Sequence, residues 1–123
     1  MSDALKTTAH EYHRQRRGNC AQSVAHAWAA QNPGAESRVE AYAGCGAGRA
    51  PGGLCGAVHA SCELAGEGAA EAIRRAFAEK TGGHLTCREI RAARVLPCSG
   101  CVEWAAELLD RHAPKPAQPR PGA

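Results

Sequence analysis

Apolar residues recur at helical spacing along most of the chain, and strand-like alternation is not sustained anywhere. The pattern predicts helices over residues 3–17, 20 to about 31, 55 to about 65, 69–80, 87 to about 95, and from 98 onward. A further short helix over 36 to about 43 is compatible with the same pattern. We therefore expect an all-α fold, a single compact bundle of about five to six short helices with a glycine-rich loop.

Local capping signals place several cysteines at the starts of these helices. Asn19 followed by Gln22 three residues later forms a capping box and makes Cys20 the first helical residue. Thr86 followed by Glu89 has the same form and puts Cys87 in the first position of its helix. Pro97 ends the preceding segment, so that Cys98 opens the last helix.

The most unusual stretch is residues 44–56, which contains six glycines and runs directly into a predicted helix. So many glycines are unsuited to a helix or strand interior and allow a close backbone approach. Cys55 falls in or beside the first turn of the following helix. Unpaired N–H groups and the helix dipole lower the pKa of a thiol there and favour the thiolate.

Composition limits the class of protein. The chain of 123 residues suits one domain, predicted over residues 1–112, with a proline-rich, disordered tail over 113–123. Aromatic residues make up only 4%, so we expect a core of mostly Ala, Leu and Val. A net charge of +3 is too small and too scattered to indicate nucleic acid binding. Neither a secretory signal nor a membrane-spanning run is apparent, and a cytoplasmic location is expected.

Seven cysteines is a high number for this length, and it is odd. Without an export signal, metal binding or redox chemistry is favoured over a structural disulfide framework. Four of the seven share the helix-start context: Cys20, Cys55, Cys87 and Cys98. If these starts converge, they form either a four-thiolate iron–sulfur or other metal site, or a dithiol–disulfide pair with resolving partners.

The other three cysteines carry weaker signals. Cys98 and Cys101 have the C-x-x-C spacing but lack a β-α-β context. Cys45 lies in the glycine-rich loop, from which it could reach the same pocket. Cys55, His59 and Cys62 share a helix face with a spacing that zinc accepts, although packing explains Cys62 more simply.

Two further chemistries are disfavoured. The glycine-rich loop lacks the Gly-Lys-Ser/Thr of a phosphate-binding loop, and no strand precedes it. No C-x-x-C-H motif for covalent haem attachment occurs.

The ordered set of motifs resembles the C_GCAxxG_C_C family of redox-active proteins. The resemblance rests on residues 18–24 (GNCAQSV), the glycine-rich loop, residues 53–57 (GLCGA), residues 87–89 (CRE) and Cys98, and covers about residues 4–111. The family's four characteristic cysteines fall on Cys20, Cys55, Cys87 and Cys98. The chain departs from the pattern at Ala60, where the family has glycine, and by its extra cysteines Cys45, Cys62 and Cys101.

The resemblance implies a helical redox or metal domain in an electron-transfer or anaerobic setting. Our first hypothesis is an iron–sulfur cluster or similar metal held by Cys20, Cys55, Cys87 and Cys98, with loop N–H groups, including those of Gly53 and Gly56, bonded to sulfur. The second is a thiol–disulfide oxidoreductase with Cys55 as nucleophile and Cys98, Cys20 or Cys101 as resolving partner. The third is a non-enzymatic zinc or copper carrier or sensor. A redox partner protein is expected, and a homodimer is compatible with the sequence.

Overall fold

The computed structural model describes residues 4–46 and 49–112 and shows an all-α fold. The described part contains seven α-helices: α1 (Ala4–Arg14), α2 (Cys20–Gln31), α3 (Ser37–Ala41), α4 (Gly56–Ala65), α5 (Glu67–Thr81), α6 (Cys87–Ala93) and α7 (Cys98–His112). The expected all-α class is therefore confirmed. The number exceeds the expected five to six because the short segment α3, which the hydrophobic pattern allows, forms a helix of its own. The predicted tail at 113–123 lies outside the described residues.

Helices α2, α4 and α7 pack against one another. Helix α1 packs on α2 and α7, α5 packs on α4 and α7, and α3 packs on α2. No helix in the described ranges is long and apolar enough to cross a membrane.

The core is built largely from small aliphatic side chains, as the composition predicts. Alanines are buried on most of the helices, and Phe77 is the largest side chain that is fully buried. The other large apolar side chains that are fully buried are Leu5, Val24, Val58, Ile73, Val102, Leu108 and Leu109. Small side chains let helix axes approach closely, so backbone and helix ends from distant parts of the chain come together.

The helix starts follow the capping signals. Asn19 caps α2, with its side chain accepting the Gln22 N–H at 2.8 Å and the Gln22 side chain accepting the Asn19 N–H at 3.1 Å. Thr86 caps α6 by accepting the Glu89 N–H at 3.1 Å. Cys20, Cys87 and Cys98 are the first residues of their helices, as predicted, whereas Cys55 is the N-cap of α4 rather than its first residue.

Several other helix boundaries differ from those that the hydrophobic periodicity predicts. Helix α1 ends at Arg14, three residues before the predicted end, and α5 begins at Glu67 because Gly66 alone provides the break. Helix α6 ends at Ala93 because Arg94 takes a left-handed conformation with φ 56°. Each shift reflects a backbone conformation that a hydrophobic pattern does not encode.

Candidate functional site: a cavity lined by five cysteines

Five of the seven cysteines line a single cavity of about 410 Å³. The remaining wall is largely apolar, with two arginines at the α6 side. The complete lining is Cys20, Cys55, Gly56, Cys87, Ile90, Arg91, Arg94, Leu96, Pro97, Cys98 and Cys101. The structure thus brings together all four cysteines selected from the sequence, and adds Cys101 to them.

A backbone pairing between distant segments aligns two of the helix starts. Leu54, just before α4, forms an antiparallel bridge with Thr86, just before α6. The Cys55 N–H donates to the carbonyl of Leu85 at 2.8 Å. These bonds fix Cys55 and Cys87 at the same end of the bundle.

A second set of contacts holds the start of α2 beside α4. The Asn19 side chain donates to the carbonyls of Tyr42 and Ala43, each at 3.0 Å, and so ties the entrance of the glycine-rich loop to Cys20. Gly56 lies against this junction: a Cβ there would stand 2.5 Å from the Cys45 carbonyl oxygen and 3.3 Å from the Cβ of Ala21. The lack of a side chain at Gly56 therefore lets the loop backbone at Cys45 lie directly against the start of α4, with α2 close beside it.

Cys55 has the most favourable environment for a thiolate. Hydrogen bonding from the Cys101 thiol, with help from the backbone N–H groups of Val58 and Ala57, lowers the pKa of Cys55 to about 7, although burial opposes this. The hydrogen bond with Cys55, together with burial, raises the pKa of Cys101, so this thiol keeps its proton. The pair therefore combines a thiolate with an adjacent thiol.

Two other cavity thiols, those of Cys20 and Cys87, resist ionisation. Burial, together with the nearby sulfurs of Cys55 and Cys98, raises the pKa of Cys20 to about 12. Burial also raises the pKa of Cys87, while the charge of Arg91 opposes that rise. Because neighbouring thiolates repel each other, the cavity favours one ionised sulfur over several.

The structure places the two predicted loop glycines differently. Gly56 lies in the cavity wall, whereas Gly53 lies outside it and approaches the Thr86 side chain instead. The N–H groups that favour the Cys55 thiolate belong to Ala57 and Val58, in the first turn of α4. This follows from the N-cap position of Cys55, from which a side chain faces the second and third N–H groups of its helix.

Three cysteine or histidine candidates are not brought to the cavity. Cys45 is not in its wall, although its carbonyl touches the Gly56 position. Cys62 is buried and donates to the Ala70 carbonyl at 3.6 Å, which supports the packing interpretation. His59 and Cys62 line a different pocket with Glu63, so they do not form a zinc site with Cys55.

All seven cysteines are free thiols. In the part of the chain that the structure describes, no group of three or more His, Cys, Asp and Glu side chains is arranged to hold a metal ion. The cavity thiols are soft donors of the kind that bind iron–sulfur clusters and zinc. In this arrangement the described thiols do not form a preorganised metal site.

The sequence analysis did not predict Arg91 and Arg94 as residues of the site. The spacing of Arg91, four residues after Cys87 in a predicted helix, indicates that the two share a helix face. No local signal indicates the position of Arg94, because its direction depends on the left-handed turn that ends α6.

Comparison of the chain with models of known protein families, with curated proteins and with solved structures finds no match. The resemblance to the C_GCAxxG_C_C family therefore stays a prediction that rests on the motifs themselves. The class defined by fold and site is an all-α protein with a cysteine-lined cavity.

Proposed function

We propose that this protein is a redox-active thiol protein that exchanges disulfides through Cys55, with Cys101 as the resolving cysteine. One observation carries the proposal: Cys55 and Cys101 are buried in the wall of one cavity, where hydrogen bonding from the Cys101 thiol lowers the pKa of Cys55 to about 7. A thiol with a pKa near ambient pH combines a large thiolate fraction with good nucleophilicity. The cavity gives a small disulfide access to that sulfur.

The reaction proceeds in two exchange steps. The Cys55 thiolate attacks one sulfur of the substrate disulfide, whose S–S bond breaks as a Cys55–substrate disulfide forms and the other half leaves as a thiolate. Cys101 then gives its proton to solvent and attacks the Cys55 sulfur, releasing the second half as a thiolate. The substrate gains two electrons, and the protein becomes the Cys55–Cys101 disulfide.

The protein returns to the dithiol form by exchange with an external dithiol, for which we propose a redox partner protein. Seven free thiols suit a reducing compartment, and we propose the cytoplasm as its location. In this scheme Cys20, Cys87 and Cys98 line the site without taking part in the exchange.

A second candidate is an iron–sulfur cluster protein that uses Cys20, Cys55, Cys87 and Cys98. The favouring observation is that all four sulfurs line one cavity, more thiols than a disulfide pair requires. Thiolates are the usual ligands of such clusters, and a cluster would supply one-electron transfer. The positive charge of Arg91 beside Cys87 and Cys98 would offset part of the negative charge of such a ligand set.

The two candidates are separated by one anaerobic preparation of the full chain, divided into two samples. In the first, the reduced protein is treated with bis(2-hydroxyethyl) disulfide, the remaining thiols are alkylated, and the linkages are mapped by mass spectrometry. We expect a Cys55–Cys101 disulfide in the wild type and a trapped mixed disulfide on Cys55 in C101S. A linkage map without Cys55 would overturn the exchange proposal.

The second sample is analysed for iron and acid-labile sulfide and by visible spectroscopy. The cluster candidate requires both elements, lost in C20S and C87S and retained in C62S, since Cys62 lies outside the cavity. Iron that is unaffected by C20S and C87S would contradict this ligand set.

A further inference from the structure

Two arginines give the cysteine cavity a positive wall that sulfur exchange alone does not require. Arg91 and Arg94 both line the cavity from the α6 side, and both are exposed to solvent. The described residues that line the cavity include no aspartate or glutamate. A ligand entering the cavity therefore meets two cations and no carboxylate.

No carboxylate of the described residues offsets these two charges. Within residues 4–46 and 49–112, neither Arg91 nor Arg94 forms an ion pair with a carboxylate. Other arginines of the chain do: Arg14 pairs with Glu11 at 2.8 Å and Arg111 with Glu107 at 2.6 Å. A guanidinium stays charged at all relevant pH values, so the cavity keeps this positive wall.

The remainder of the wall suits a ligand with an apolar part. Ile90, Leu96 and Pro97 line the cavity together with the arginines and the sulfurs, and its volume of about 410 Å³ is in the range of small-molecule sites. Guanidinium groups present paired N–H donors that match a carboxylate. The lining therefore combines an apolar surface, a carboxylate-binding element and a nucleophilic sulfur.

We propose that the cavity selects small disulfides bearing carboxylate groups, which Arg91 and Arg94 bind while the disulfide bond lies against Cys55. This inference rests on the proposed exchange function and assigns its substrate class. The carboxylates take no part in the chemistry: the bond that breaks is the substrate S–S bond, and the electrons and leaving thiolates follow the two steps given above.

A series of disulfides that differ mainly in charge tests the proposal. The reduced, metal-free full chain is mixed with 3,3′-dithiodipropionate, which is a dianion, with neutral bis(2-hydroxyethyl) disulfide, or with cystamine, which is a dication. Each rate of modification at Cys55 is divided by the rate of the same disulfide with N-acetylcysteinamide, which removes intrinsic differences in reactivity. The variants are R91Q, R94Q and the double variant, with R88Q as the matched control.

Arg88 is a suitable control because it lies on the same helix, is exposed, and is not part of the cavity wall. R88Q changes the net charge as much as R91Q does. Any general effect of charge on association with the dianion will therefore appear equally in both variants.

We expect the wild type to prefer the dianion, and each cavity substitution to lower its rate about three- to fivefold, as loss of a partly exposed ion pair would. The loss should be smaller with the neutral disulfide, the rate with cystamine should rise, and R88Q should behave as the wild type. Equal rates for the three disulfides, or equal losses with all of them in R91Q/R94Q, would overturn the substrate assignment and leave the exchange function standing. If no disulfide modifies Cys55 faster than it modifies N-acetylcysteinamide, the exchange function fails as well.

Discussion

Cys55 and Cys101 show how a single contact separates two otherwise similar thiols. Both are buried in the same cavity wall, yet the pKa of Cys55 is lowered and that of Cys101 is raised. The cause is the hydrogen bond between them, in which Cys101 is the donor and the Cys55 thiolate the acceptor. Helix-start N–H groups contribute to this difference but are the smaller cause.

The thiol of Cys101 should therefore control the acidity of Cys55. In C101A the donor is lost, and we expect the pKa of Cys55 to rise from about 7 towards its ordinary 9.0. The rate of alkylation of Cys55 near neutral pH should fall about tenfold for each unit of that rise, because only the thiolate reacts. The measurement is the pH dependence of iodoacetamide modification of the Cys55 peptide.

Two controls make this measurement specific. C101S retains a donor and should keep most of the lowered pKa, whereas C62A, outside the cavity, should leave the profile unchanged. An unchanged profile in C101A would show that the helix start alone sets the acidity of Cys55.

At the scale of elements, the contact of the glycine-rich loop with the start of α4 depends on one position without a side chain. Gly56, the first residue of α4, lies where a Cβ would come within 2.5 Å of a backbone oxygen, that of Cys45. Backbone cannot move aside as a flexible side chain can. The glycine-rich loop is thus needed for close packing as well as for its turns.

The substitution G56A should destabilise the fold by about 1–3 kcal/mol, as overpacking does in well-packed sites. The measurement is the free energy of unfolding from urea denaturation. G68A is the matched control, because Gly68 also lies in the first turn of a helix but has no atoms within 4 Å of its would-be Cβ. Equal stabilities for G56A and G68A would contradict the close approach of the Cys45 backbone to the start of α4.

The capping box of α2 and the Thr86 cap of α6 illustrate what an element encodes by itself. Local hydrogen bonds alone fix the first residues of α2 and α6. Asn19 and Gln22 bond to each other at the start of α2, and Thr86 accepts the Glu89 N–H at the start of α6. The sequence therefore predicts Cys20 and Cys87 at helix starts. Whether helix starts meet depends on other bonds. An example is the Leu54–Thr86 bridge between the starts of α4 and α6, whose partners lie far apart along the chain.

For the molecule as a whole, the buried thiols link stability to alkaline pH. Folding raises the pKa of Cys20 from an ordinary 9.0 to about 12. Below 9.0 the thiol is protonated in both the folded and unfolded states, and its contribution to stability is fully present. As the pH rises from 9.0 towards 12, the unfolded chain loses this proton first, so stability falls by up to about 1.4 kcal/mol per pH unit.

We therefore expect C20S to flatten the alkaline decline in the free energy of unfolding. The measurement compares urea denaturation of wild type and C20S, both reduced, at several pH values between 8 and 11. The Cys55 thiol acts in the opposite direction: its contribution is present above 9.0 and is lost as the pH falls through about 7. Parallel curves for the two proteins would show that Cys20 ionises as freely in the fold as in the unfolded chain.

The sequence by itself determined the all-α class, the aliphatic core, and the positions of Cys20, Cys87 and Cys98 at helix starts, because periodicity and caps are local properties. The tertiary structure decided which cysteines meet. It brought Cys101 into the cavity and left Cys45 and Cys62 out of its wall, since the side of a helix that faces a cavity depends on how the helices cross. The two arginines joined the site for the same reason, through the packing of α6 and the left-handed turn at Arg94.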